Sequence, residues 1–163
     1  MAKANTPVVT YDAIVIGTGQ AGPPLARRLT AAGMTVAIIE RGAFGGTCVN
    51  TGCIPTKTLI ASAYGAHMAR RAGEFGVGLA DPVHVDMPRV KARKDRISEQ
   101  SRVGVEQSLR TLANCTVYQG HARFVAPHEV QVGDALIAAE RIFIMSAAGL
   151  WCQTCPGSIR CPI

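Results

Sequence analysis

The sequence contains no apolar run approaching the ~20 residues that a helix needs to cross a bilayer, so a helical membrane anchor is not expected. Aromatic residues are scarce at 5%, and acidic residues (11) are fewer than basic ones (17), leaving a net charge of +6. That charge alone would suit nucleic acid. The basic residues, however, concentrate in RVKARKDR at 89–96 with no aromatic side chain between them to stack on bases, so the stretch is expected to be a solvated helix face and no nucleic-acid partner is expected. The first residues, MAKANTPVVTYDAIVIGTG, lack the basic, apolar and small-residue order of a secretory signal, and a cytoplasmic location is expected. Disorder is excluded by composition, since hydrophobic residues make up 48% and charged residues 17%. At 163 residues, one domain with a real core is expected.

What is present begins with YDAIVIG at 11–17, a short β-rich run stopped by Gly17-Thr18-Gly19-Gln20-Ala21-Gly22. Pro23 and Pro24 sit where a helix's first turn does not use their missing N–H groups, and LARRLTAAG carries helical periodicity to a stop at Gly33. TVAIIE at 35–40 is a second strand ending in Glu40. Strand, glycine loop, helix, strand and acid in this order form a dinucleotide-binding βαβ unit. Gly17 allows the tight turn, Gly19 admits a pyrophosphate, and Gly22 lets helix and strand close together. Glu40, followed by Arg41, is placed to accept from ribose hydroxyls, and its charge would repel a 2′-phosphate, which favours FAD or NAD over NADP.

Further along, TCVNTGCIPTKTLIASAYGAHMARRAG reads as an irregular turn running into a helix closed by Gly73, and 76–86 as loop. A long helix from Met87 to Ala113 follows, with Val90, Ile97, Val103, Val105, Leu109 and Leu112 facing the core. The short stretches TVYQG, ARFV, EVQV, ALIA and RIFI suggest a small antiparallel meander packed on the parallel sheet.

Cys48 and Cys53 are the chemical puzzle. In a regular helix an i, i+5 pair lies about 7.5 Å apart along the axis, beyond the roughly 7 Å Cα limit of a disulfide, so a bond between them requires a distorted turn. Gly45, Gly46 and Gly52 supply the freedom, and Pro55 restarts the helix. A strained, accessible pair at a helix N-terminus would be readily reduced. Two small buried hydrophobes or half of a metal site remain the alternatives, although the spacing, with no histidine nearby, is poor for zinc, and no metal ligands are assigned.

The run GGTCVNTGCIPTK at 45–57 resembles the redox signature of the class I pyridine nucleotide-disulfide oxidoreductases. The likeness extends over 9–145, the family's first FAD-binding segment, and GTGQAGPPLA with GCIPTKTLIASA leans toward mercuric reductase-like rather than dihydrolipoyl dehydrogenase-like members. It implies a Rossmann-like α/β FAD-binding domain with a parallel sheet and a small antiparallel meander. By similarity, Gly17, Gly19 and Gly22 meet the FAD pyrophosphate, Glu40 and Arg41 the adenosine side, Gly46 and Thr47 the phosphates, and Ala122 the adenine. Cys53 would lie next to the flavin and carry a charge-transfer thiolate when reduced, Cys48 would exchange with substrate, and Lys57 would lie near the flavin's reactive nitrogen. NAD(P)H would be the co-substrate. The substrate would be a small disulfide, a thiol or a soft metal, and full-length relatives would be homodimers through an interface domain that has no counterpart here.

Against that family the chain is short, and a second glycine-loop domain and a catalytic histidine motif have no match. His67, His84, His121 and His128 are therefore expected to be ordinary surface or core residues. The domain is expected to span 1–145 and to be incomplete relative to the family, with 146–163 an atypical tail. From Met145, MSAAGLWCQTCPGSIRCPI departs from the family's continuation. With one choice of codons, a one-base shift of the run from Thr154 yields Met-Pro-Gly-Ile-Asp-Gln-Val-Pro-Tyr, which resembles that continuation. A frameshift near Met145 that shortened the chain is thus the expectation, and gene sequencing tests it. Cys152, Cys155 and Cys161 would then be incidental rather than a metal-binding tail, and Cys115 a small core residue. The remaining readings are a non-catalytic FAD-binding remnant and a cysteine-based metal-binding protein.

Overall fold

A computed structural model describes residues 7–145; the tail expectations for 146–163 lie outside the described residues. The chain runs β1 (Val8–Ile16), α1 (Gly22–Ala31), β2 (Val36–Glu40), α2 (Gly46–Asn50), α3 (Cys53–Arg70), a 3-10 turn (Ala72–Phe75), α4 (Met87–Arg110), β3 (Cys115–Gln119), β4 (Ala122–Ala126), β5 (Glu129–Val132) and β6 (Ala135–Ile144). One six-stranded sheet has the order β3-β2-β1-β6-β5-β4. β3, β2, β1 and β6 are mutually parallel, and β6, β5 and β4 form the antiparallel meander.

The alternation of the strands sorts side chains onto two faces. Ile14, Ala37 and Ile39 point to one face, where Val130, Val132, Ile137 and Ala139 of the meander fold over them. Val15, Val36 and Ile38 point to the other, against Ala26 of α1, Leu109 of α4 and Phe44. The carboxyl half of β1 and nearly all of β2 are thus buried on both faces, which is why AIVI at 13–16 and VAII at 36–39 read as continuous apolar runs rather than alternating ones. Leu109 is fully buried, a contribution of about 1.5–3 kcal/mol from its side chain.

Three details differ from the sequence expectations. TVYQG belongs to the parallel sheet, because β3 pairs with β2 from Val36↔Cys115 to Glu40↔Gln119, and the meander is left with β4, β5 and one long β6 that joins ALIA to RIFI. Val103 is 36% exposed rather than core-facing, because the buried stripe of α4 runs through Val105 and Leu109. Gly73 does not close α3; the helix ends at Arg70, and Gly76 takes the left-handed turn (φ 75°) after the 3-10 segment. α4 starts as its sequence indicates, with the Asp86 side chain accepting from the Arg89 N–H at 3.0 Å.

No helix among the described residues is long and apolar enough to cross a membrane. Arg93, within the basic run, is not merely solvated: its Nη1 donates across to the Thr58 carbonyl at 3.0 Å and to the Ser62 hydroxyl at 3.3 Å, tying α4 to α3.

Candidate functional site

Parallel strands β2 and β6 leave β1 on opposite sides, so the carboxyl end of β1 is a topological switch point, the usual crevice for a ligand in an open α/β sheet. Gly17-Thr18-Gly19-Gln20-Ala21-Gly22 occupies that end. Gly17 (φ 108°) starts the turn and donates its N–H to the Ile39 carbonyl at 2.8 Å. A Cβ on Gly22 would collide with the Gly17 carbonyl oxygen, so only glycine lets α1 begin this close to β1. Pro23 and Pro24 leave Gly22 as the N–H donor of the first helical turn, so donors for an anion come from the loop itself.

Glu40 ends β2 beside the loop. Its Oε2 accepts from the Thr18 N–H (3.0 Å) and the Thr18 hydroxyl (2.5 Å), and its Oε1 from the Gly42 N–H (2.9 Å). Burial alone would push this carboxyl up, but the bonds from the Thr18 hydroxyl and from the Gly42, Thr18 and Arg41 N–H groups outweigh it, and Glu40 lies below its ordinary range. The Gly120 N–H donates to the Glu40 carbonyl at 2.9 Å, which carries the β3–β4 corner to this end of the sheet two residues before Ala122. The Ala122 side chain itself packs toward the meander core. Arg41 is exposed beyond Glu40.

From Phe44, buried at 2% and with the Arg110 guanidinium 5.9 Å from its ring centroid, the chain turns through Gly45 (φ 92°) and Gly46 (φ 61°) into α2. A Cβ on Gly46 would lie 2.9 Å from the Gly19 Cα, so the glycine loop and the start of the cysteine segment touch backbone to backbone. Asn50 locks this turn, donating its amide to the Gly46 carbonyl (2.8 Å) and the Phe44 carbonyl (3.0 Å).

Between α2 and α3 the helix breaks at Thr51 and Gly52. A Cβ on Gly52 would stand 3.0 Å from the Thr47 carbonyl oxygen and 3.3 Å from the Cys48 Cα, so glycine allows the first residue of α3, Cys53, to close on Cys48. Both cysteines are thiols here; Cys53 is exposed and Cys48 half-buried. The Cys53 side chain is the main influence holding the Cys48 thiol above its ordinary range, burial adding to it, while the Cys53 N–H and the charge of Lys57 pull the other way. Lys57, one turn after Cys53, is exposed.

The fold thus brings Gly17, Gly19, Gly22, Glu40, Gly46, Thr47, Cys48, Cys53 and Lys57 into one continuous region, with Arg41 at its rim. Thr18 and Asn50, which sequence reading passed over, hold it together; their polar side chains next to the glycines were the available signal. His67, His84, His121 and His128 are all exposed. Cys115 is half-buried, and burial pushes its thiol up, as suits a packed core residue. No group of three or more His, Cys, Asp or Glu side chains among the described residues could hold a metal ion.

The residues present fit a dinucleotide. Glycines at 22 and 46 let α1 and the cysteine segment close backbone to backbone on the loop, a Cβ on Gly19 would meet nothing nearer than the Met145 carbonyl oxygen at 3.9 Å, and a carboxylate held by the Thr18 and Gly42 N–H groups stands at the second strand's end. Fold and site together define a dinucleotide-binding α/β domain that carries a cysteine pair on the helices after its second strand.

Residues 11–159 match the family described as pyridine nucleotide-disulphide oxidoreductase, and the chain belongs to that family. It is 34% identical over 139 residues to a dihydrolipoyl dehydrogenase of Thermus scotoductus, covering 85% of this chain and 30% of that protein. It is 33% identical over 138 residues to a mercuric reductase of Lysinibacillus sphaericus, covering 85% of this chain and 25% of that one. Among solved structures, the Cu(II) complex of the HOCl-induced flavoprotein disulfide reductase RclA from Escherichia coli superposes with a TM-score of 0.65 at 35% identity, over 83% of this chain and 28% of that one. The chain spans about 30% of the length of the curated relatives it matches. The family is one of FAD-containing oxidoreductases with NAD(P)H as co-substrate.

Proposed function

We propose that this chain forms the FAD-binding part of an NAD(P)H-dependent disulfide reductase in which Cys48 and Cys53 are the redox pair, with a mercuric reductase-like substrate range. The observation that supports this reading is the close approach at Gly52, where a Cβ would stand 3.3 Å from the Cys48 Cα, in the segment whose Gly46 meets Gly19 of the glycine loop. Gly17, Gly19, Gly22, Gly46 and Thr47 would surround the FAD pyrophosphate, Glu40 and Arg41 the ribose side, Ala122 the adenine, and Lys57 the ring end. Bound FAD would supply the two-electron redox chemistry that links NAD(P)H to the cysteine pair.

With the pair reduced, the Cys48 thiolate attacks one sulfur of a substrate disulfide; the other leaves as a thiol after taking a proton. The Cys53 sulfur then attacks Cys48 in the mixed disulfide, releases the second substrate thiol and closes a Cys48–Cys53 bond. The substrate gains two electrons and two protons, and the protein pair loses them. A soft metal ion is the alternative substrate, bound between the two sulfurs before reduction. The likeness to a mercuric reductase and to a protein solved as its Cu(II) complex supports that arm. The homodimer of full-length relatives and a cytoplasmic, thiol-preserving setting complete the proposal. A second reading is an FAD-binding unit that does not turn over.

The test treats the purified chain with a mild oxidant, alkylates it and maps its peptides by mass spectrometry. A Cys48–Cys53 link is expected, reopened stoichiometrically by dithiothreitol; two thiols that never pair overturn the proposal. The reduced chain mixed with lipoamide, glutathione disulfide or Hg(II) then selects the substrate class by loss of titratable thiol. FAD uptake without nicotinamide oxidation favours the second reading.

A further inference from the structure

Thr18 is the second residue of the glycine loop and fully buried, yet it is polar. Its hydroxyl donates to Glu40 Oε2 at 2.5 Å and accepts from the Gly45 N–H at 3.3 Å, while its own N–H also reaches Oε2 at 3.0 Å. A hydroxyl has one proton and two acceptor positions, so this side chain bonds in both directions at once, to a carboxylate and to a backbone donor. The carboxylate ends β2. The backbone donor opens the turn that reaches Cys48 three residues later.

We propose that Thr18 is a positioning residue that holds the Glu40 carboxylate and the cysteine-bearing turn in a single fixed relation, so that ribose binding and thiol geometry are coupled through one hydroxyl. The proposal rests on the FAD reading for its ribose half only. Three features argue that the hydroxyl, and not mere bulk, matters here. The bond to Glu40 is charge-assisted, which makes it short and strong. Gly45 must be glycine, because its φ of 92° is left-handed and its Cβ would lie 2.6 Å from Val49, so the turn has no side chain of its own with which to anchor itself. The third feature is location: Gly46 rests against Gly19, so any shift of the 45–47 turn is felt by the glycine loop. The Thr18 bonds also contribute to the low proton affinity of the Glu40 carboxyl.

Thr18→Val keeps the shape and removes the hydroxyl; Thr18→Ser keeps the hydroxyl and removes the methyl. Two readouts apply to the full chain. One is the affinity for FAD and for ADP, by calorimetry. The other is the rate at which iodoacetamide labels Cys48 and Cys53 in the FAD-free protein, resolved by peptide mass spectrometry. Thr18→Val is expected to weaken FAD and ADP about tenfold and to change the Cys48 labelling rate about threefold or more, with Thr18→Ser within about twofold on both. If Thr18→Val does not fold, Thr18→Ala is read in the same assays. Hydroxyl-free variants within twofold of the parent on both measures overturn the proposal, as does a serine variant damaged as badly as the valine. If the parent chain binds neither FAD nor ADP, the FAD reading fails, and the labelling rates alone decide for or against Thr18.

Discussion

The nucleotide cradle and the cysteine turn touch at Gly19 and Gly46, but they are built on opposite principles. In the cradle, Thr18 is fully buried, both Glu40 oxygens are engaged and backbones close to the limit of contact, so nothing moves without cost. In the cysteine turn, Cys53 is exposed at the start of α3 and Cys48 half-buried on the five-residue α2, which the Asn50 amide, the Thr18 hydroxyl and close glycine contacts hold at its ends. On the proposed function the contrast has a reason: a cradle that holds a cofactor in one pose would need to be preorganised, whereas a thiol pair would need to stay within reach of a partner from solution. Rigidity on one side and access on the other would suit the proposed relay between a bound cofactor and a diffusing substrate.

Four changes would break or sharpen that contrast. Gly22→Ala should act most strongly, destabilising the chain by about 3 kcal/mol or more and abolishing FAD binding, because the new methyl meets a backbone oxygen that cannot yield. Chemical denaturation and calorimetry check it. Gly52→Ala should cost about 1–2 kcal/mol and slow Cys48–Cys53 pairing under mild oxidants, while FAD affinity changes less than in Gly22→Ala, since the contacts it tightens belong to the thiol side. Asn50→Ala removes the amide that bridges two turn carbonyls and should cost about 1 kcal/mol, with faster labelling of Cys48 as the sign that the turn has loosened.

The smallest effects are titrations, and they run in opposite pH windows. The carboxyl of Glu40 is lowered in the folded state, so its contribution is complete above the ordinary carboxyl value of about 4.3 and is lost as pH falls through the folded one. The stability gap between the parent and Glu40→Gln should therefore stay constant near neutrality and shrink on acidification below about pH 4. The Cys48 thiol is raised, so labelling of Cys48 should reach half its maximum at a higher pH than that of a free thiol near 8.5.

Much of this was legible before any coordinates. The glycine loop, the acid at the end of β2 and the cysteine signature announce themselves through residue types whose roles are local, and Gly22 and Gly52 are found where their small size is needed. The partner of a short strand is not local. CTVYQ at 115–119 has no periodicity to mark it as parallel, because its pairing with β2 depends on how α2, α3 and α4 lie across the helix face. Thr18 was hidden for the same reason: its role depends on Glu40 and Gly45, 22 and 27 residues away in the chain. Val103 misled because heptad-like spacing in a long helix outruns the stretch that touches the sheet; only the segment ending at Leu109 reaches it.

The strand that closes the meander ends at a particular spot. The Met145 N–H donates to the Ile16 carbonyl at 2.7 Å, and its own carbonyl oxygen is 3.9 Å from where a side chain on Gly19 would begin. The polypeptide therefore returns, after more than a hundred residues, to the lip of the loop it made first. A pull or a lesion at this seam would be transmitted straight to the mouth of the crevice, which makes β6 a drawstring as well as a wall.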